Sequence, residues 1–209
     1  MNSLDSSEKS LRFGVLGGSF DPPHYGHLAL AETARVQLQL ARVLFVPAGE
    51  PPHKTDVDLS PIAKRVALVQ AAIADNGSFA LSRVDVDRAG PHYTVDMLRL
   101  LRTEFPQVTD WFLLLGEDSL HDFLSWRAPE EILELAELAV MRRPEKPAPL
   151  ETLQERLPTL ERRLTWLDVP PLHLSATELR RRVREGLPLR YLVPLPVEVL
   201  IRKHQLYTG

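Results

Sequence analysis

The sequence contains no cysteine. That excludes a disulfide frame, a thiolate nucleophile and any Cys-ligated zinc or iron–sulfur centre. No apolar run approaches the length of a membrane span, and the first ten residues (MNSLDSSEKS) lack the basic start and apolar stretch of a secretory signal. The expectation is a soluble cytoplasmic protein. A basic excess is missing too: 25 Lys and Arg face 28 Asp and Glu, a net charge of −3, which disfavours a nucleic-acid partner. A small phosphorylated ligand needs only one local basic pocket and stays open. There is no internal repeat, no low-complexity tract and no G-x-G-x-x-G dinucleotide fingerprint.

What the sequence has in excess is proline, 18 in 209 residues, nearly twice the usual share of about 5%. So many helix breakers predict short elements joined by stiff, shaped loops. The apolar share of 44% and charged share of 25% are near globular averages, and the length can bury a real core. Residues 1–10 are expected to be a disordered tail and residues 11–209 a single domain, with residues 174–209 forming a small helical subregion.

Hydrophobic periodicity places elements along this domain. Leu11–Gly17 reads as a buried strand, Gly26–Leu38 as a helix and Val43–Val46 as a second strand stopped by Pro47. A proline-bearing loop over 48–61 precedes a helix at Ala63–Ala74, and Phe79–Val86 alternates like a strand with one wet face. Thr94 can N-cap a helix running to about Phe105. Trp111–Leu115 and Leu138–Met141 read as strands, with a short helical stretch around Ser119–Phe123 between them. A helix near Leu150–Arg163, a strand at Leu164–Val169, a helix at Thr177–Arg184 ended by Gly186, and a closing helix at Pro196–Gln205 complete the chain. Strands alternating with helices, several of them continuous apolar runs, predict an α/β fold with a doubly wound parallel sheet and helices on both faces. Ligands then sit at the carboxyl ends of strands, in the loops after Leu16, Val46, Leu115 and Val169.

The loop after the first strand, Gly17-Gly18-Ser19-Phe20-Asp21-Pro22-Pro23-His24-Tyr25-Gly26-His27, carries the most chemistry. Two glycines allow a tight turn and close approach of backbone to ligand, and Ser19 adds a hydroxyl. His24 and His27, three apart at a helix start, share a face beside the positive end of the helix dipole, where an anion can bind. A plain βα turn or a pair of metal ligands would also use some of these residues, although no third ligand stands nearby at metal spacing.

Leu174-Ser175-Ala176-Thr177-Glu178-Leu179-Arg180 is a second candidate. Ser175 with Glu178 reads as a capping box, and the same helix start offers hydroxyls, backbone N–H groups and Arg180 to a phosphate chain. The following arginines read as a solvated face.

GGSFDPPHYGH resembles the GG-x-F-D-P-x-H-x-G-H motif of the nucleotidyltransferase superfamily, and LSATELR is similar to its I-S-[SA]-T-x-[IL]-R motif. Pro51-Pro52-His53-Lys54, Tyr93-Thr94, and Gly116-Glu117-Asp118-Ser119 with Phe123 and Trp126 behind it resemble the bacterial nicotinate-nucleotide adenylyltransferases. The resemblance spans Phe13 to about Tyr207. It implies a Rossmann-like nucleotidyltransferase domain joining the AMP part of ATP to nicotinate mononucleotide in NAD biosynthesis.

Carried onto this chain, the resemblance makes His27, His24 and Arg180 the catalytic residues. It gives the ATP site to Gly17, Gly18, Ser19, Phe20, His24, His27, Gly116, Asp118, Ser175, Thr177 and Arg180. Nicotinate mononucleotide falls to Lys54, Thr94 and Trp126, the tryptophan stacking on the pyridine ring. Mg²⁺ is expected to arrive with ATP, without dedicated protein ligands. The partners implied are ATP and nicotinate mononucleotide, with no nucleic acid and no membrane, and a homo-oligomer is left open. His92 stands where the family often has Ser, and Arg127 where an aromatic residue is common, so the choice between acid and amide is open. Alternatives are a sister enzyme using nicotinamide mononucleotide or phosphopantetheine, and a nucleotide-binding regulatory module without chemistry.

Overall fold

The computed structural model of the chain describes residues 10–49, 59–142, 147–170 and 172–208. Of the predicted tail, residues 1–9 lie outside the described residues, as does the Lys54 loop.

In chain order the elements are β1 (Arg12–Gly18), α1 (Tyr25–Gln37), β2 (Arg42–Pro47), α2 (Ile62–Ile73), β3 (Phe79–Leu81), α3 (Thr94–Glu104) and β4 (Asp110–Gly116). There follow α4 (Asp118–His121), a 3-10 turn at Phe123–Ser125, α5 (Pro129–Leu135), β5 (Glu137–Met141), α6 (Leu150–Arg156), a 3-10 turn at Leu160–Arg163, β6 (Leu164–Leu167), α7 (Ala176–Arg184) and α8 (Leu195–Lys203). The six strands form one sheet in the order β3-β2-β1-β4-β5-β6, every pair parallel. This is the predicted doubly wound, Rossmann-like α/β fold, and its topological switch point lies between β1 and β4.

Successive strand residues point to opposite faces, which explains the continuous apolar runs. Val15, Leu44, Val46, Leu113 and Leu115 pack with Leu98 and Leu101 of α3, Ile132 of α5 and Leu153 of α6. Their neighbours Leu16, Val43, Phe45 and Leu114 pack on the other side with Leu30 of α1, Val69 of α2, Leu179 of α7 and Ile201 of α8. Both faces are therefore covered, each fully buried Leu or Phe contributing about 1.5–3 kcal/mol.

Four local expectations are corrected. The strand predicted over Phe79–Val86 stops at Leu81, because β3 pairs only with β2 over three residues. The chain then turns, with Val86 and Asp87 N–H bonded to the Arg83 carbonyl at 2.8 and 2.9 Å. The helix predicted over Leu150–Arg163 is interrupted between Arg156 and Leu160, where Pro158 cannot continue it. Thr94 is the first helical residue of α3 and Tyr93 is its N-cap. Helix α5 was not predicted at all, although Pro129 at its start and Glu130 and Glu131 in its first turn are an N-terminal signature. Gly186, at φ +70°, follows the end of α7 as expected.

Candidate active site

The carboxyl ends of β1 and β4 open onto a cleft of about 580 Å³. Gly17, Gly18 and Ser19 line it from the loop after β1, Asp118 from the start of α4, Thr94 from the start of α3, and Trp126 from the link before α5. Six of the sequence-predicted site residues are thus brought to one cavity. Gly116 ends β4 beside them, next to Met141 of β5 in the sheet register.

The two histidines sit where the loop becomes α1. His24 is the N-cap, in extended backbone, and its ring stacks on His27 with centroids 3.8 Å apart. The backbone N–H of His24 donates to Nδ1 of His27 at 3.2 Å. Neutral His27 therefore carries its proton on Nε2, the nitrogen on the far side of the ring from the helix cap. Phe20 supports this ring edge-on, with centroids 5.1 Å apart, and is itself buried, so it reaches the site through His27. Gly26 leaves the room this stack needs: a Cβ there would stand 3.0 Å from both Cε1 and Nδ1 of His24.

The second helix start, α7, is tied to this loop. Arg180 Nη1 donates to the Asp21 carbonyl at 2.8 Å, and Nη2 lies 3.5 Å from Thr177 Oγ1. Ser175 accepts the Glu178 N–H at 3.2 Å, which is half of the predicted capping box. The other half is not made, since the Glu178 carboxylate pairs with Arg181 at 2.7 Å. Arg181 also pairs with Glu185, in keeping with a solvated face for these arginines.

Two residues that hold the loop had no functional assignment from the sequence. Asp21, which the sequence places only in the loop after the first strand, is buried. Its carboxylate accepts the Ser60 N–H at 2.9 Å and the Tyr207 hydroxyl at 2.6 Å, and the Asp21–Pro22 peptide is cis. Burial and the bond to Asp21 push the Tyr207 hydroxyl up from its ordinary value, so it stays a donor at every physiological pH. Arg65 of α2 is 2% exposed and donates to four carbonyls: Ser60 at 2.9 Å, Ser19 at 2.9 Å, Ala48 at 2.7 Å and Gly49 at 3.0 Å. It thereby fastens the loop after β1 to the loop after β2. Burial lowers its pKa from the usual arginine value, and the Asp21 charge opposes that shift.

The wall opposite the glycine loop is also pinned. Arg99 of α3 bonds Asp96 at 2.8 Å and Glu131 of α5 at 2.6 Å, and Arg102 donates to the Leu135 carbonyl at 3.0 Å. These bonds hold α3, which begins at Thr94, to α5, which follows Trp126. Trp126 is half-buried on Phe123, centroids 5.4 Å apart, and the Arg127 guanidinium lies 4.7 Å above the Tyr93 ring. Buried Asp85 and His92 complete this side of the cleft. Burial raises the Asp85 pKa, with the bonds from Arg88 opposing the rise.

Comparison with known proteins shows the family. The cytidylyltransferase-like family matches residues 15–182. The probable nicotinate-nucleotide adenylyltransferase of Thermomicrobium roseum is 49% identical over 94% of this chain and 91% of its own. Its counterpart in a Roseiflexus species is 44% identical over 95% and 98%. The chain belongs to the nicotinate-nucleotide adenylyltransferases. This is a family of nucleotidyltransferase enzymes, and the fold agrees with it. A nicotinic acid mononucleotide adenylyltransferase from Plasmodium falciparum, solved with NaAD, superposes with a TM-score of 0.77 over 94% of this chain and 97% of that one, at 18% identity.

Among the described residues no group of three or more His, Asp or Glu side chains is arranged to hold a metal ion, and no helix is long and apolar enough to cross a membrane.

Proposed function

We propose that the protein transfers the adenylyl group of ATP to nicotinate mononucleotide, giving deamido-NAD and pyrophosphate in NAD biosynthesis. The observation that carries this proposal is the bond from Arg180 to the Asp21 carbonyl. It ties the start of α7 to the loop that leads into α1, two anion-favouring helix starts. The same loop lines the cleft through Gly17, Gly18 and Ser19, together with Thr94 and Trp126, whereas His24, His27 and Arg180 are not among the residues lining it.

The 5′-phosphate of the mononucleotide is already ionised near neutral pH and needs no protein base. One of its oxygens bonds to the α-phosphorus of ATP, and the bond from that phosphorus to the β-bridging oxygen breaks, releasing pyrophosphate. The protein's task is in-line placement and compensation of charge. His27 donates from Nε2 to the α-phosphate as negative charge builds, its ring angle set by the His24 N–H and by Phe20. His24, Ser19 and the Gly17–Gly18 backbone hold the same phosphates. Arg180, with Ser175 and Thr177, grips the β and γ phosphates, the leaving group. Gly116 and Asp118 border the adenosine. Thr94 and Trp126 receive the pyridine ring, and Lys54, outside the described residues, is assigned to the mononucleotide phosphate.

Mg²⁺ would arrive with ATP and, when bound, would neutralise phosphate charge. On this proposal the enzyme works in the cytoplasm on ATP and nicotinate mononucleotide, without nucleic acid.

The test is to supply ATP labelled at the α or the γ phosphate together with nicotinate mononucleotide. The α label is expected in a dinucleotide and the γ label in pyrophosphate. Label from the γ position in the acceptor product, or no transfer at all, overturns the proposal.

A further inference from the structure

Among the described residues, Arg127 is the one Lys or Arg that lines the cleft. It makes no ion pair among them, although Asp85, Asp118 and Asp122 line the same cavity, and Asp85 is already taken by Arg88 at 2.7 Å. Its guanidinium lies over the Tyr93 ring, 4.7 Å from the centroid. Such stacking uses the flat face of the group and leaves its in-plane N–H donors pointing outward.

The position is fixed by the chain on either side. Trp126 anchors it on Phe123, and Ala128, at φ 50° and ψ 60°, turns the chain into α5 directly afterwards. The Arg99–Glu131 bonds hold α5 to α3, and so hold Arg127 over Tyr93. The result is a pre-placed fork of donors adjoining the tryptophan and the threonine. Carboxylate and phosphate are the anions that such a fork matches, and of the two the carboxylate is the one carried by a flat ring stacked on the neighbouring tryptophan.

We infer that Arg127 is a specificity-determining residue that reads the ring carboxylate of nicotinate mononucleotide and thereby favours the acid over the amide. The inference rests on the proposed function and deepens it. Nicotinate and nicotinamide mononucleotides share ribose, ring and 5′-phosphate, and differ only in a carboxylate against a neutral amide.

The experiment measures kcat/KM for both mononucleotides with saturating ATP in the parent enzyme, in Arg127→Gln and in Arg127→Lys. The parent should prefer the acid. Arg127→Gln should lower kcat/KM for the acid by roughly tenfold or more, the size of one charge-assisted bond, mainly through KM. The amide should lose far less, so the ratio collapses. Arg127→Lys, which keeps the charge but not the fork, should restore part of the ratio. Equal losses for both substrates would mean that Arg127 contacts the shared phosphate or merely supports the wall, and would overturn the inference while leaving the proposed reaction standing. Failure of the parent enzyme to use either mononucleotide would overturn the proposed function, and the inference with it.

Discussion

Arg65 donates to the Ser19 carbonyl at 2.9 Å from inside the molecule, placing a buried cation beneath the loop whose outer side faces the cleft. The same nitrogen reaches the Ala48 carbonyl at 2.7 Å, so one guanidinium sets the spacing of two cleft-lining loops. Replacing Arg65 with Met leaves four carbonyls to find other partners, and should cost about 3 kcal/mol or more of stability. Urea unfolding measures this, and an unchanged midpoint would contradict the role. Kinetics should show a rise in KM for ATP, since Ser19 loses its anchor.

On the proposed mechanism His27 makes its contact as charge develops on the α-phosphate, so His27→Ala should lower kcat by about 10²–10³-fold and leave ATP affinity within a few-fold. Unchanged turnover would remove His27 from the chemistry.

Tyr207 reaches back from the C-terminal end of the described chain to Asp21, at 2.6 Å. Tyr207→Phe removes this single bond to a carboxylate and should cost about 1.5–3 kcal/mol, read by thermal unfolding. ATP should restore part of the loss, because ligand binding favours the folded loop. A variant as stable as the parent would show that the bond contributes nothing net.

Asp85 gives a pH test. Burial raises its pKa above the ordinary aspartate value, so the folded chain holds a proton at pH values where the unfolded chain has released it. Raising the pH through that interval therefore costs stability. Asp85→Asn lacks this titration, so its stability relative to the parent should increase as pH rises from about 4 toward neutrality. A difference that stays constant or shrinks over urea titrations at several pH values would contradict the assigned cause.

The sheet and most helices were legible because apolar runs and turn residues have sequence signatures. Gly17–Ser19, Thr94, Asp118 and Trp126, which line the cleft, could be picked out because they belong to motifs, and the same loop motif drew attention to His24 and His27 at the start of α1. Asp21 and Arg65 were harder. Asp21 sits in a motif, but nothing in its neighbours says that its carboxylate points inward to Ser60 and Tyr207. Arg65 occupies a helix whose surrounding residues are apolar, and its partners are backbone carbonyls, which every residue carries. The length of β3 was misjudged for a similar reason: alternation over Phe79–Val86 describes each residue's polarity, whereas strand length depends on the partner, and β2 pairs with only three of these residues.

The most direct test of the central claim offers ATP and Mg²⁺ with nicotinate mononucleotide, nicotinamide mononucleotide or phosphopantetheine in turn and follows pyrophosphate release. Release is predicted with the pyridine nucleotides, fastest with the nicotinate form, and not with phosphopantetheine. Release with phosphopantetheine alone, or with none of the three, would contradict the account.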